Sequence, residues 1–93
     1  MAILHIIAKH LDAEALTKLV ERSNSNDGYV FMDDGVYVQL GKSLHAFASR
    51  EVFILADHSD ERGLKKVNND RVKPIDMSGL VQLTTCYSSS MSW

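Results

Sequence analysis

The stretch that decides the fold covers residues 29–37 and reads Tyr-Val-Phe-Met-Asp-Asp-Gly-Val-Tyr. Four apolar residues that favour β-structure run directly into two aspartates and a glycine, after which an apolar stretch resumes. This pattern predicts a buried strand, a sharp turn and a short helix. A strand without polar alternation is usually covered on both faces, as in a parallel sheet that lies between two layers of helices.

Apolar segments of the same kind recur along the chain and alternate with helical segments. Pro74 lies in the weakest of them and indicates a sheet edge or a strand end, because proline removes a ladder donor. The alternation predicts an α/β fold, a three-layer α/β/α sandwich on a small, mainly parallel sheet. The predicted strands are Ile3–Ile7 and residues 29–32, 52–55 and 72–75.

The helical segments are marked by N-capping residues and by apolar residues at helical spacing. Asp12 is a suitable N-cap for a helix over residues 12–22, and a helical turn is expected at residues 44–48. Asp76 or Ser78 is expected to cap a last helix. The shared face of that helix is predicted to consist of Leu80, Val81 and Thr84.

Length and composition restrict the class of protein. Ninety-three residues predict one domain over residues 1–93, and a net charge of −2 gives no general attraction to nucleic acid or to an anionic membrane. No apolar run is long enough to span a bilayer, and the chain begins without a signal-peptide pattern. A single cysteine excludes an internal disulfide, so we expect a cytoplasmic location.

Polar residues near the predicted strand ends are the candidates for a site. Adjacent carboxylates at Asp33 and Asp34 could serve acid–base or metal chemistry, together with His58. In the structural interpretation Asp34 caps the next helix and Gly35 allows the tight turn. No metal site is expected, because the histidines lack ligand spacing. No cofactor is expected either, and no glycine-rich phosphate loop follows a predicted strand. The histidines are His5, His10, His45 and His58, of which His5 fits a hydrogen-bonded core or interface residue, while His10 and His58 could meet at the strand ends.

Two features near the C-terminal end of the sequence need an explanation. Cys86 is the only thiol and hence the only candidate for persulfide chemistry, yet its neighbours supply no cation that would stabilise a thiolate. Met91 and Trp93 end an otherwise polar tail. We expect these two side chains to be held against folded protein, either this domain or a partner.

Several short motifs resemble one known family along the whole chain. The chain resembles the DsrH/TusB family, and its TusB branch most closely. The motifs are Ile3-Leu4-His5, Asp34-Gly35-Val36, Glu61-Arg62-Gly63-Leu64, Ile75-Asp76 and Leu80-Val81-Gln82-Leu83-Thr84, with Met91-Ser92-Trp93 at the end.

The resemblance implies a DsrE/F/H-like fold and membership of a complex with TusC- and TusD-like subunits, a dimer of heterotrimers. Such a complex relays persulfide sulfur for 2-thiolation of the wobble uridine in tRNA. The working cysteine of the family lies after the third strand of the TusD/DsrE-type subunit, and residues 56–59 of this chain have no thiol. DsrH proteins of sulfur oxidisers carry a cysteine in the first helix, which is also missing here.

These differences imply a non-catalytic subunit that is not an enzyme on its own. Because the sequence has no basic patch, we expect no direct binding to nucleic acid. The alternatives are an independent persulfide carrier that uses Cys86 and a DsrH-type subunit of a sulfur-oxidation complex. A hydrolase or metalloenzyme that uses Asp33, Asp34 and His58 is a third. Interface or structural roles are expected for Asp33, Asp34, Gly35, Arg62, Gly63, Met91 and Trp93.

Overall fold

The computed structural model describes residues 2–40, 46–47, 50–64 and 72–93. These residues form a five-stranded, fully parallel sheet in the order β4-β3-β2-β1-β5. The three-layer α/β prediction is therefore confirmed. The elements are β1 (Ile3–Ile7), α1 (Ala13–Arg22), β2 (Gly28–Phe31), a 3-10 helix (Asp33–Leu40), β3 (Glu51–Leu55), α2 (Ala56–Glu61), β4 (Lys73–Ile75), α3 (Met77–Cys86) and β5 (Ser89–Ser92).

The two faces of the sheet are covered by different parts of the chain. From β1 to β4 each new strand is added on the same side of the previous one, so right-handed crossovers place α1, the 3-10 helix and α2 on one face. The last crossover runs back from β4 to β5, and α3 therefore lies on the opposite face. Among the described residues, no helix is long and apolar enough to cross a membrane.

The main core lies between β1–β3 and the first helical layer. Side chains alternate along each strand, so one face of β2 carries two aromatic rings, Tyr29 and Phe31, both fully buried. Leu16 and Leu19 of α1 pack into the same cluster, each with 2% of its surface exposed. Asp12 caps α1 as predicted, because its carboxylate accepts a hydrogen bond from Ala15 N at 2.8 Å.

The turn after β2 differs from the sequence prediction in detail. The positive φ belongs to Asp33, at 48°, and not to Gly35. Gly35 is required for a different reason: a Cβ there would collide with the backbone oxygen of Ile7. Asp34 does not cap the helix. It lies within the 3-10 helix, and its carboxylate accepts a hydrogen bond from Arg62 instead.

The last helix begins as predicted but turns a different side inward. Asp76 is the cap, because its Oδ1 accepts from Gly79 N at 2.7 Å. The predicted face is wrong in part, since Val81 is 60% exposed and Thr84 is also exposed. Leu80 and Leu83 are the half-buried residues. Residues three apart lie on the same side of a helix, so Leu80 and Leu83 together form the side that is partly buried. Val81 lies on the exposed side.

The tail forms a fifth strand that the sequence did not predict. Ser88 N donates to Ala2 O at 2.9 Å and Trp93 N donates to Ile6 O at 2.8 Å, which fixes β5 beside β1. At the other edge, β4 is a three-residue strand that contains Pro74, as predicted. The predicted helical turn at 44–48, with Gly41 and His45, falls mainly outside the described residues.

Candidate functional site

Polar side chains from two elements meet at the carboxyl end of the sheet. Asp33 N donates to His58 Nδ1 at 2.8 Å, and Asp33 Oδ1 lies 3.4 Å from the same ring nitrogen. His58 therefore accepts through Nδ1, and in the neutral ring the proton is on Nε2. The sequence placed both residues at strand ends, and the structure brings them together.

Arg62 connects the rest of this group, which we call the carboxyl-end cluster (Asp33, Asp34, His58 and Arg62). Its Nε donates to Asp34 Oδ1 at 3.1 Å, its Nη1 donates to His58 O at 3.2 Å, and its Nη2 lies 3.9 Å from Asp33 Oδ1. Gly63, at φ 74°, lies immediately beyond Arg62, which is the C-cap of α2. The cluster thus joins the start of the 3-10 helix to the end of α2.

The geometry of the carboxyl-end cluster favours an ion-pairing role. Both carboxylates are more than half exposed, and each lies within ion-pair distance of Arg62. Within the described ranges, no group of three or more His, Cys, Asp or Glu side chains could hold a metal ion. His10 packs against Tyr37, with ring centroids 5.7 Å apart, and the described contacts of His58 do not include it.

Cys86 lies far from this cluster. It is the last residue of α3 and is exposed. The strands are parallel and β5 begins only three residues later, so Cys86 lies near the amino end of the sheet, opposite His58. The C-terminal end of a helix disfavours a negative charge, so α3 does not stabilise the thiolate.

A buried polar group is centred on His5 of β1, and the partners of this histidine were not predicted. His5 Nε2 and Asp27 Oδ2 are 2.8 Å apart, and these residues are only 4% and 2% exposed. Asp27 Oδ1 accepts from Ile3 N at 2.9 Å, and its Oδ2 accepts from Asn24 N at 3.2 Å. Burial raises the pKa of Asp27, but these backbone hydrogen bonds and the one with His5 outweigh it, so the pKa lies below its ordinary value of 3.8.

Trp93 completes this group, which we call the His5 triad (His5, Asp27 and Trp93). Its indole Nε1 donates to His5 Nδ1 at 3.1 Å. Because an indole N–H only donates, Nδ1 must be unprotonated, and Nε2 carries the proton that is donated to Asp27. His5 also stacks on Tyr29, with centroids 5.1 Å apart. His5 is therefore a hydrogen-bonded core histidine, one of the two roles expected for it.

Part of the His5 triad, the pairing of His5 with Asp27, could have been predicted from the sequence. A histidine within an apolar strand needs hydrogen-bond partners, and Asp27 directly precedes the buried strand beside β1. The contribution of Trp93 could not be found in this way, because it depends on β5.

Comparisons with known proteins identify the family. The chain matches the family model described as DsrH like protein over residues 11–90. No curated protein sequence matches it. Its structure is similar to the crystal structure of the YchN protein from E. coli, with a TM-score of 0.75, 18% sequence identity and coverage of 100% of both chains. That similarity shows a shared fold. The family match supports the assignment of the chain as a sulfur-relay subunit of the DsrH/TusB type. Because the family match covers most of the sequence, the chain belongs to the DsrH-like protein family.

Proposed function

We propose that this chain is a non-catalytic, TusB-like subunit of a TusBCD-type complex that passes persulfide sulfur for 2-thiolation of the tRNA wobble uridine. One observation carries the proposal. The segment after β3, where the resemblance places the working cysteine of the catalytic subunit, is the start of α2 and contains no thiol. His58 occupies this segment and is engaged by Asp33.

The position of Cys86 supports the same assignment. A persulfide carrier needs a thiolate, and a thiolate is favoured by a nearby cation or by a helix N-terminus. Cys86 lies at a helix C-terminus instead. Its exposure is the one observation in favour of an independent carrier, since a donor could reach it. The sulfur-oxidation alternative has less support, because α1 contains no cysteine.

The exposed apolar residues of α3 support assembly with other subunits. None of the residues of α3 is buried, and Met77 and Val81 are 50% and 60% exposed. Apolar surface of this kind on a helix is favourably covered by a protein partner. TusC- and TusD-like proteins are the partners that the proposal names. It also places the chain in the cytoplasm, where tRNA is modified, and without direct contact to nucleic acid.

The proposal is tested by co-expression of the tagged chain with TusC- and TusD-like proteins. We expect all three to copurify as one complex. We also expect the complex with Cys86→Ser to pass sulfur from a persulfide donor to an acceptor protein at the wild-type rate. Failure to copurify would contradict the assignment to the complex.

The carrier alternative is tested on the isolated chain. The wild-type protein and Cys86→Ser are incubated with a persulfide donor and examined by mass spectrometry. A mass increase of one sulfur atom that depends on Cys86, followed by transfer to an acceptor, would establish the carrier. We expect no transfer to the acceptor from either protein.

A further inference from the structure

The two ring nitrogens of His5 have partners of different kinds. Nε2 lies 2.8 Å from Asp27 Oδ2, and a carboxylate accepts from a charged imidazole as well as from a neutral one. Nδ1 accepts from Trp93 Nε1 at 3.1 Å, and an indole nitrogen can only donate. A second proton on the ring has to go to Nδ1. It would set two N–H donors against each other across this distance.

The Asp27 side of the His5 triad is suited to a charged histidine. Although burial raises the pKa of Asp27, the donors around its carboxylate, Ile3 N, His5 and Asn24 N, hold this pKa below 3.8. Asp27 therefore stays ionised between about pH 5 and 8, where histidines as a class change their charge. A protonated His5 would gain an ion pair with Asp27 and lose the hydrogen bond from Trp93.

Among the described residues, the other groups around the ring give Nδ1 no replacement acceptor. Tyr29 stacks on His5 from β2, and its hydroxyl accepts from Arg50 Nη1 at 3.0 Å. Tyr87, whose pKa is raised mainly by burial, stays neutral in this range. From α1 only apolar side chains point into the core, and its charged residues are exposed. The charged or titratable groups that face the triad are Asp27, Tyr29, Arg50 and Tyr87.

Trp93 is the partner of His5 that is free to move. It is only partly buried, and it follows directly on the edge strand β5, whose four residues are all exposed. Its backbone is held to β1 by one good hydrogen bond, Trp93 N to Ile6 O at 2.8 Å, and by a longer one, Ala8 N to Trp93 O at 3.4 Å. His5, in contrast, is buried in a strand that lies between two others.

We infer that a proton on His5 Nδ1 and the docked indole of Trp93 exclude each other, so that protonation releases Trp93 and the adjoining end of β5 from β1. The rest of the sheet keeps its structure. By reciprocity, anything that holds Trp93 in place keeps His5 neutral. Since one proton is involved, the ratio of docked to released chains falls by at most about tenfold per pH unit. The inference concerns the chain alone and does not depend on its role in sulfur transfer.

The fluorescence of Trp93, the only tryptophan, tests the inference on the full chain. Quenching by acrylamide is measured from pH 8 to pH 5, together with far-UV circular dichroism. We expect the quenching constant to rise severalfold, towards that of free tryptophan, while the dichroism spectrum changes little. A quenching constant that does not depend on pH overturns the inference. So does one that rises only as the dichroism signal is lost, because the whole domain then unfolds.

Two variants assign the response to one histidine. In His5→Gln the amide oxygen can accept from Trp93 and the amide nitrogen can donate to Asp27, but the side chain does not titrate. We expect its quenching constant to stay low from pH 8 to pH 5. The matched control, His10→Gln, removes an exposed histidine just beyond β1 and should respond like the wild type. A full response in His5→Gln, or none in His10→Gln, contradicts the inference.

Nitrogen-15 NMR of the histidine rings gives a second readout that does not require His5→Gln to fold. At pH 8 the wild-type spectrum should show His5 as the Nε2–H tautomer. In Trp93→Phe the opposing donor is gone, so His5 should take up its second proton at a higher pH than in the wild type. The same proton uptake in both proteins, or the Nδ1–H tautomer in the wild type, would overturn the inference.

Discussion

Asp27 is a buried carboxylate whose ionised form is stabilised by the groups around it. Its pKa is lowered in the folded state, so its stabilising effect is fully present above the ordinary value of 3.8 and is lost as the pH falls through the lowered pKa. We expect the free energy of unfolding to fall as the pH drops below about 4.

The Asp27→Asn variant tests this contribution. At neutral pH the variant should be less stable by about 1–3 kcal/mol, because an amide cannot accept all three hydrogen bonds. The difference from wild type should shrink at acid pH, measured by urea unfolding between pH 2.5 and 7. A pH-independent difference would show that Asp27 acts through shape alone.

Trp93 has both a packing role and a hydrogen-bonding role, which two variants separate. Trp93→Phe keeps most of the apolar contact but removes the donor to His5 Nδ1, and should cost about 1 kcal/mol of stability. Trp93→Ala also removes the packing against the core and should cost about 3 kcal/mol. Denaturation followed by circular dichroism measures both, since Trp93 is the only tryptophan. A Trp93→Phe variant as stable as the wild type would argue against the hydrogen bond, and equal costs of the two variants would argue against the packing role.

At the level of elements, the close approach of the 3-10 helix to β1 depends on Gly35. A Cβ at this position meets the backbone oxygen of Ile7, and a backbone atom within a central strand cannot move away easily. We expect Gly35→Ala to lower the free energy of unfolding by about 2–3 kcal/mol.

Gly63→Ala is a matched control, because the same substitution there causes backbone strain but no steric collision. No atom lies within 4 Å of a Cβ at residue 63, and only its φ of 74° opposes the substitution. The expected cost is about 1 kcal/mol, measured by the same denaturation. If the control variant were the less stable of the two, the steric explanation for Gly35 would be wrong.

At the level of the whole molecule, β5 holds the C-terminal tail beside β1 and places Trp93 against the core. Deletion of Ser92 and Trp93 removes one partner of His5 and part of the cover of the core. We expect the truncated chain to fold with a lower melting temperature and to assemble less well with its partners. Calorimetry and copurification measure these two effects, and normal assembly would show that the tail is dispensable for it.

Much of this architecture could be predicted from local patterns in the sequence. β1 was predicted with the bounds that the structure shows, and the apolar run at residues 29–32 identified the buried strand to within one residue. Asp12 was recognised as an N-cap, and Asp76 was one of two candidates for the cap of α3, because an N-cap acts on amides two or three residues away. The edge position of β4 followed from Pro74, which lacks a ladder donor.

Other features were decided only by tertiary structure, because they depend on residues that are distant in the sequence. Ser89–Ser92 has little apolar character and becomes a strand only because β1 offers it an edge. The reason for Gly35 is the backbone of Ile7, and the partners of His5 are 22 and 88 residues away along the chain. Sequence by itself determined the alternation of strands and helices on a parallel sheet and the absence of a thiol after β3. Tertiary structure determined the His5 triad and the uncharged β5 edge, since spatial contact and exposure exist only once the sheet has formed.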